Sequence, residues 1–344
     1  MPSKQLKRLS GTKAKRLRIK WDESKVVNNL HFQCWEGIVG DAALPSIDRR
    51  LVDAVESTVE RFSSMETINR QVGDIVELLL EAKRIVSFTG AGISASAGIP
   101  TYRGAAGIDN LDHFATTKGQ KEEEEEEEDV DYAELEPTFA HSALTKLQDM
   151  DKLHGCITQN CDNLHSKAGI RSELISDLHG NVFKEYCEKC YTEYERDFAV
   201  DQYSTDCYDE AWYSECPTCS FNHYTGRLCD TGRCKGKLRD TIVNFGDDLH
   251  QFVCGGLWKA SRKCRHADLC LALGSSLTVK PASDLPLKAK RLVIVNLQAT
   301  ELDSDADVRL WTTCDEFFRV LLPQLDKAMT AKATAGSKRR RRIE

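Results

Sequence analysis

At 344 residues the chain has room for two domains, or for one large domain with an insertion, on a prior of ~150 residues per domain, which excludes a disulfide-stapled miniprotein. Apolar residues make up 41% and charged residues 29%, and no apolar run approaches the ~18–20 residues of a membrane span, so a soluble protein with no membrane partner is expected. The net charge of −7 conceals an acidic body of −19 over residues 21–337, flanked by +8 over residues 1–20 and +5 over residues 338–342. That asymmetry suits basic substrates in the body and nucleic acid or an import receptor on the tails; tails that merely solubilise are the plain alternative. The basic first 20 residues lack an apolar core, so they do not read as a secretory signal. Without export, 14 cysteines point to thiols, metal ligation or redox chemistry rather than to a disulfide framework.

In chain order, a helix is predicted over 74–82 and a strand over 85–88, followed by a glycine-rich turn. Residues 122–129 are all acidic, repel one another and predict a solvated loop. A helix over 138–149 leads into strands at 156–158 and 174–178. Residues 183–239 hold seven of the cysteines and no sustained helical period, so they read as a small metal-built domain inserted in the sheet. Further strands are predicted at 241–245, 269–273 and 292–297. Several of these runs lack in-and-out alternation, as strands buried on both faces do. The expected fold is α/β: a Rossmann-like parallel sheet with helices on both faces, plus a small inserted zinc-binding domain.

Residues 84–104 read RIVSFTGAGISASAGIPTYRG, in which Gly90, Ala91, Gly92 and Ala95 fit G-x-G-x-x-A after a buried strand. Glycines there let the backbone approach a pyrophosphate, whose charge a following helix amino terminus stabilises. No strand ending in an acidic ribose ligand follows ~20 residues on, as an ordinary dinucleotide fold requires. Gly274, Ser275 and Ser276 end one later strand and Asn296 ends another, facing the same crevice. Glycines serving only as turns remain the alternative.

These segments resemble the sirtuins, the NAD-dependent protein deacylases. GAGISASAGIPTYRG is similar to that family's cofactor loop, TQNCDNLH at 158–165 to its nicotinamide-pocket motif, and DLHGNV around His179 to its catalytic-histidine motif. GSSLTVKP at 274–281 and VNLQAT at 295–300 resemble the segments that hold the adenosine end. EPTFAH, TGRLC and LRDTIVNFGD are most similar to the class IV branch, whose animal members are nuclear and chromatin-associated.

The resemblance implies that His179 takes a proton from the nicotinamide ribose hydroxyl, after the acyl oxygen of a modified lysine has displaced nicotinamide. Free lysine, nicotinamide and 2'-O-acyl-ADP-ribose are the products it implies. It further implies that Asn160 and Asp162 hold nicotinamide, Arg103 and Gln159 serve the phosphates and ribose, and Tyr102 covers the cleavage site. Gln298 falls in the adenosine-end segment, and the backbone at Cys314, in CDEFF, lies against adenine on the same reading. By residue type alone, the Asn-Asp pair also fits an ordinary Asx turn. Thr101 stands where the family carries an Asp, and Asp109 where the nearest branch carries a tryptophan.

Cys187-x2-Cys190 is a zinc-knuckle spacing. Spacing alone favours Cys216 and Cys219 as the second pair, whereas the resemblance implies Cys229 and Cys234, which follow TGR and precede LRDTI. With the second choice the zinc is structural, and Cys207, Cys216, Cys219 and His223 are left as a possible second set or as free thiols.

The resulting expectation is a basic extension over 1–70, a catalytic domain over 71–322 and a basic tail over 323–344. Within the catalytic domain the large part is 71–110, 138–182 and 240–322, the acidic insertion 118–136 and the zinc domain 183–239. The implied activity is NAD-dependent deacylation of acyl-lysine on a nuclear or histone-like protein. Mono-ADP-ribosyl transfer from the same NAD site and a chromatin adaptor without turnover are the rival readings.

Overall fold

The computed structural model describes residues 59–101, 131–200, 214, 216–244, 246–247 and 251–340, together with Val26–Val27, which pair antiparallel with Arg61–Phe62. Tyr102, Arg103, Asp109, Cys207, the acidic run 122–129, residues 1–20 and residues 341–342 lie outside the described residues. Among the described residues, no helix is long and apolar enough to cross a membrane.

Apart from that short pair, ten strands among the described residues follow one another in two sheets: β1 Ile85–Thr89, β2 Leu153–Thr158, β3 Ile175–Asp177, β4 Lys184–Cys187, β5 Glu193–Glu195, β6 Tyr224–Leu228, β7 Lys237–Asp240, β8 Leu269–Leu273, β9 Leu292–Val295 and β10 Val308–Leu310. The larger sheet is parallel throughout, in the order β3-β2-β1-β8-β9-β10. Numbered within that sheet alone, this is the doubly wound order 3-2-1-4-5-6, whose direction of winding reverses between β1 and β8.

Every residue of β1, β8 and β9 is buried, because helices cover both faces. On one face Ile85, Leu271 and Val293 pack against helices α1 (Met65–Glu81), α2 (Phe139–Asp149) and α5 (Cys314–Arg340), through Leu79, Leu144, Phe317 and Phe318. On the other, Phe88, Ile157 and Ile294 meet Ala260 and Cys264 of α4 (Gln251–Arg265). A short α3 (Leu164–Lys167) follows β2.

Both ends of this layer depart from expectation. Helix α1 begins before residue 74, capped by the Ser64 hydroxyl accepting the Thr67 N–H at 3.2 Å. Ile68 and Val72 continue its buried stripe, so the folded part starts ahead of residue 70. Helix α5 does not give way to a tail at 323: it runs through Pro323, with Leu325 fully buried and Met329 packed on the same core. Proline there forfeits one backbone bond to the carbonyl of Arg319, and the buried face outweighs that loss.

Of the strand predicted over 241–245, residues 241–244 are described, and there the chain is irregular rather than extended in a sheet. Its polar groups serve the neighbouring loop instead of a ladder. The Thr241 hydroxyl bonds the Asn181 carbonyl at 3.0 Å, and the Val243 N–H donates to the His179 carbonyl at 3.0 Å. The ladder forms just before, where β7 joins the smaller antiparallel sheet β5-β4-β7-β6.

Candidate active site and metal centre

The crevice opens at the carboxyl ends of β1 and β8, where the winding reverses and open α/β sheets hold ligands. Gly90 follows β1 and Gly274 follows β8, and their loops meet backbone to backbone: the Gly92 N–H donates to the Gly274 carbonyl at 2.8 Å. A Cβ on Gly92 would sit 2.7 Å from Gly274 Cα, and Gly274 has φ +60, so glycine is required at both. After Gly90 the chain makes two 3-10 turns, Ala91–Ile93 and Ala95–Ala97, rather than the α-helix amino terminus expected there. Gly98, at φ +90, ends the second turn and prevents its extension.

Ser94, fully buried at the end of the first turn, ties this loop to the one after β2. Its hydroxyl donates to Asp162 Oδ2 at 2.6 Å and accepts from Asn160 Nδ2 at 3.0 Å. Asn160 Nδ2 also donates to the Gly90 carbonyl at 3.2 Å. With both amide hydrogens engaged, the group Asn160 has left to offer is its carbonyl oxygen. Burial pushes the Asp162 carboxyl up from its usual range, against the Ser94 hydroxyl and the Leu164 N–H that stabilise the ionised form. Gln159 joins the second glycine loop, its side-chain oxygen accepting the Ser275 hydroxyl at 2.7 Å.

His179 stands half-buried just beyond β3, with Nδ1 3.0 Å from the Gln159 carbonyl oxygen. A carbonyl only accepts, so Nδ1 carries the hydrogen and the lone pair of the neutral ring is on Nε2. Burial lowers the pKa of His179 below 6.5, and the Gln159 carbonyl pulls the other way. The ring is therefore neutral, and a competent base, at neutral pH. Gly180 has φ +86, and a Cβ there would lie 2.0 Å from the Thr241 carbonyl oxygen, so only glycine lets the chain turn away behind the imidazole.

In the smaller sheet Cys187, Cys190, Cys229 and Cys234 bring their sulfurs within 4.8 Å of one another, with Cys187–Cys234 at 3.6 Å and Cys190–Cys229 at 3.5 Å. Four thiols at such separations fit one tetrahedral zinc. A Cβ on Gly236 would lie 2.5 Å from Cys187 Sγ, so the loop closing the cluster is shaped around the sulfurs. Cys216, the alternative that spacing favours, lies in a different cluster.

Residues 90–281 match the Sir2 family. The chain belongs to that family. The NAD-dependent protein deacetylase SRT1 of Oryza sativa subsp. indica is 34% identical over 253 residues, covering 72% of this chain and 47% of that protein. NAD-dependent protein deacetylase sirtuin-7 of Homo sapiens is 35% identical over 276 residues, covering 76% of this chain and 61% of that protein. This chain thus spans about half the length of the first and somewhat more of the second. A solved Sir2 complex with 2'-O-acetyl-ADP-ribose and deacetylated p53 peptide superposes with a TM-score of 0.50 at 29% identity, covering 73% of this chain and 97% of that one.

Within this Sir2 fold, Gly90, Gly92, Asn160, Asp162, Gln159, Gly274 and Ser275 form one hydrogen-bonded unit, and His179 joins it through the Gln159 backbone. Ala91 and Ala95 lie on the 3-10 turns beside it. Ser276, next along the loop, has its hydroxyl 3.0 Å from that of Thr278. Asn296 and Gln298 form a separate pair beyond β9, Asn296 Nδ2 donating to the Gln298 carbonyl at 3.0 Å. Cys314 turns its thiol into the core, where burial pushes its pKa up to about 12, so its side chain offers no thiolate. Sequence reasoning passed over Ser94, whose only signal was its place inside the glycine-rich segment.

Proposed function

We propose that the chain is an NAD-dependent protein-lysine deacylase, acting on acyl-lysine in nuclear or histone-like proteins. The observation that carries this is the convergence, at the point where the sheet's winding reverses, of the two glycine loops, the Ser94–Asn160–Asp162 network and an oriented neutral His179. NAD fits those residues; when bound it supplies the ribosyl centre that receives the acyl oxygen, with nicotinamide as the leaving group.

The chain's own residues divide the remaining work. The close glycine loops leave backbone against the phosphates, with Gln159 and Ser275 beside the ribose. The Asn160 oxygen and the buried Asp162 carboxylate accept from a carboxamide N–H2 and fix its plane. His179 Nε2 takes the ribose hydroxyl proton, and the Gln159 carbonyl stabilises the imidazolium through Nδ1–H. Asn296, Gln298 and the backbone at Cys314 lie beyond β9 and at the start of α5, where the adenosine end is received. The four-cysteine zinc is structural, since four thiolates leave no open position. The basic residues 1–20 and 338–342 direct the protein to the nucleus and bind nucleic acid through phosphate contacts.

Mass spectrometry of the products from NAD and a panel of acyl-lysine peptides tests the assignment. Free lysine with 2'-O-acyl-ADP-ribose supports it. ADP-ribose attached to protein would establish the transferase reading, and absence of nicotinamide release the adaptor reading. His179→Ala is expected to lower turnover by ~10²–10⁴-fold with the fold retained.

A further inference from the structure

A second set of metal-type donors lies outside the crevice and outside the four-cysteine cluster. Cys216, Cys219, His223 and Asp247 bring one donor atom each within 4.8 Å of one another. His223 Nε2 is 3.3 Å from Cys219 Sγ and 3.2 Å from Asp247 Oδ2, and Cys216 Sγ is 3.3 Å from Asp247 Oδ1. Tetrahedral bonds of ~2.3 Å to sulfur and ~2.0 Å to nitrogen or oxygen place neighbouring donors ~3.3–3.8 Å apart, and these three separations lie at the short end of that range.

The backbone repeats the geometry of the four-cysteine knuckle. At Cys187, the N–H donates to the Thr192 carbonyl at 3.0 Å and the carbonyl accepts the Tyr191 N–H at 2.9 Å. At Cys216, the N–H donates to the Phe221 carbonyl at 2.9 Å and the carbonyl accepts the Ser220 N–H at 2.9 Å. The residue after the second cysteine has positive φ in both, 59 at Tyr191 and 67 at Ser220. The same turn thus presents two sulfurs to one point at each place.

The other two donors are held in ligating poses. Asp240 Oδ1 accepts from His223 Nδ1 at 2.9 Å, which fixes the tautomer and turns the Nε2 lone pair toward the sulfurs. The Asp247 carboxylate is oriented by the Asn244 N–H at 3.0 Å and the Thr218 hydroxyl at 3.0 Å. Both side chains are less than a tenth exposed. Gly246, at φ +90, brings the chain so near the knuckle that a Cβ would lie 3.2 Å from the Thr218 carbonyl oxygen.

We propose that Cys216, Cys219, His223 and Asp247 form a second, structural zinc site of two thiolates, one imidazole and one carboxylate. Zinc suits this mixed tetrahedral set better than magnesium or calcium, which prefer more oxygen donors. Binding releases the two thiol protons to solvent. Through Asp247 the ion clamps the Cys216 knuckle beside Val243, whose N–H holds the His179 carbonyl, and so ties the small domain to the wall of the crevice.

The test is metal stoichiometry of the full chain after loading with excess zinc and dialysis, with ¹¹³Cd NMR of the cadmium-exchanged protein. Two ions per chain are expected, with one resonance in the four-thiolate range and one shifted upfield by the nitrogen and oxygen donors. Cys216→Ser with Cys219→Ser should keep one ion and lose only the upfield resonance. Asp247→Cys should keep two and move that resonance toward the four-thiolate range. One ion per chain, or one cadmium resonance, in the unaltered protein overturns the site whether or not the variants fold. Retention of two ions by the doubly substituted chain overturns this ligand set.

Discussion

The six-stranded sheet buries large side chains on both faces, Phe88, Ile157, Phe317 and Phe318 among them, whereas the apolar core of the four-stranded sheet contains Cys187, Cys229 and Leu238. Each buried Leu, Ile or Phe contributes about 1.5–3 kcal/mol, so the larger layer spreads its stability over dozens of side chains. The smaller one cannot. Its interior also holds Glu185, fully buried between Arg196 at 2.7 Å and Arg227 at 2.9 Å, an arrangement that fixes geometry more than it adds net stability. Damage should therefore be graded in one layer and all-or-none in the other.

Removing metal is the largest perturbation this contrast predicts. Structural zinc contributes on the order of 10 kcal/mol to small metal domains. Cys229→Ser, or chelation, should abolish hydrogen-exchange protection across β4 to β7 while β1 and β8 stay protected. Protection surviving in β4 to β7 without metal would break the contrast. Phe317→Ala comes next: it opens a cavity beneath α5, should cost about 3–5 kcal/mol in urea unfolding and should leave metal content unchanged. Zinc release in the same transition would mean that the two layers unfold as one unit.

Acid should weaken the larger layer by a smaller amount. His165 is buried against the Thr89 hydroxyl, its Nε2 at 2.8 Å, and burial lowers its pKa to about 4. The fold favours the neutral ring, so this stability is complete above pH 6.5 and is lost as pH falls toward 4. Between pH 7 and 5 the loss is about 2 kcal/mol at most. Urea unfolding at the two pH values measures it, and His165→Gln should remove that part of the pH dependence. Following zinc release in the same titration separates this effect from protonation of the metal ligands.

Legibility followed the same division. Strands such as β8 were readable because burial on both faces leaves an unbroken apolar run, Leu-Cys-Leu-Ala-Leu. The run predicted over 241–245 has the same look, yet the Thr241 hydroxyl and the Val243 N–H go to the carbonyls of Asn181 and His179, and a sequence does not reveal that. Strand β10, three residues including an arginine, is too short for its period to register. In the crevice, residue types with one chemistry stood out: His179, the glycines, and Asn160 with Asp162. Ser94 did not, because its importance lies in which loops it joins. The same limit hid Asp247, which reaches the Cys216 knuckle only after the chain has passed through β6 and β7.

The smallest effect concerns His179, which follows β3 at the edge of the larger sheet and whose carbonyl accepts the Val243 N–H from the segment that leaves the smaller one. In the proposed role of His179 as base the neutral ring is the active form, so kcat/KM should hold steady through neutral pH and fall as acid protonates it. Burial is the larger influence on its pKa and the Gln159 carbonyl the smaller, so the midpoint of the acid limb should lie below 6.5. Unfolding through His165 or loss of zinc would also lower the rate in acid, so native fluorescence and bound zinc, followed in the same samples, should stay unchanged at the midpoint pH. Activity should return in full when enzyme held briefly at that pH is moved back to pH 7.5. A reversible limb centred at or above 6.5 would show that the environment of His179 stabilises the imidazolium, and would remove the argument for a base that is neutral at rest.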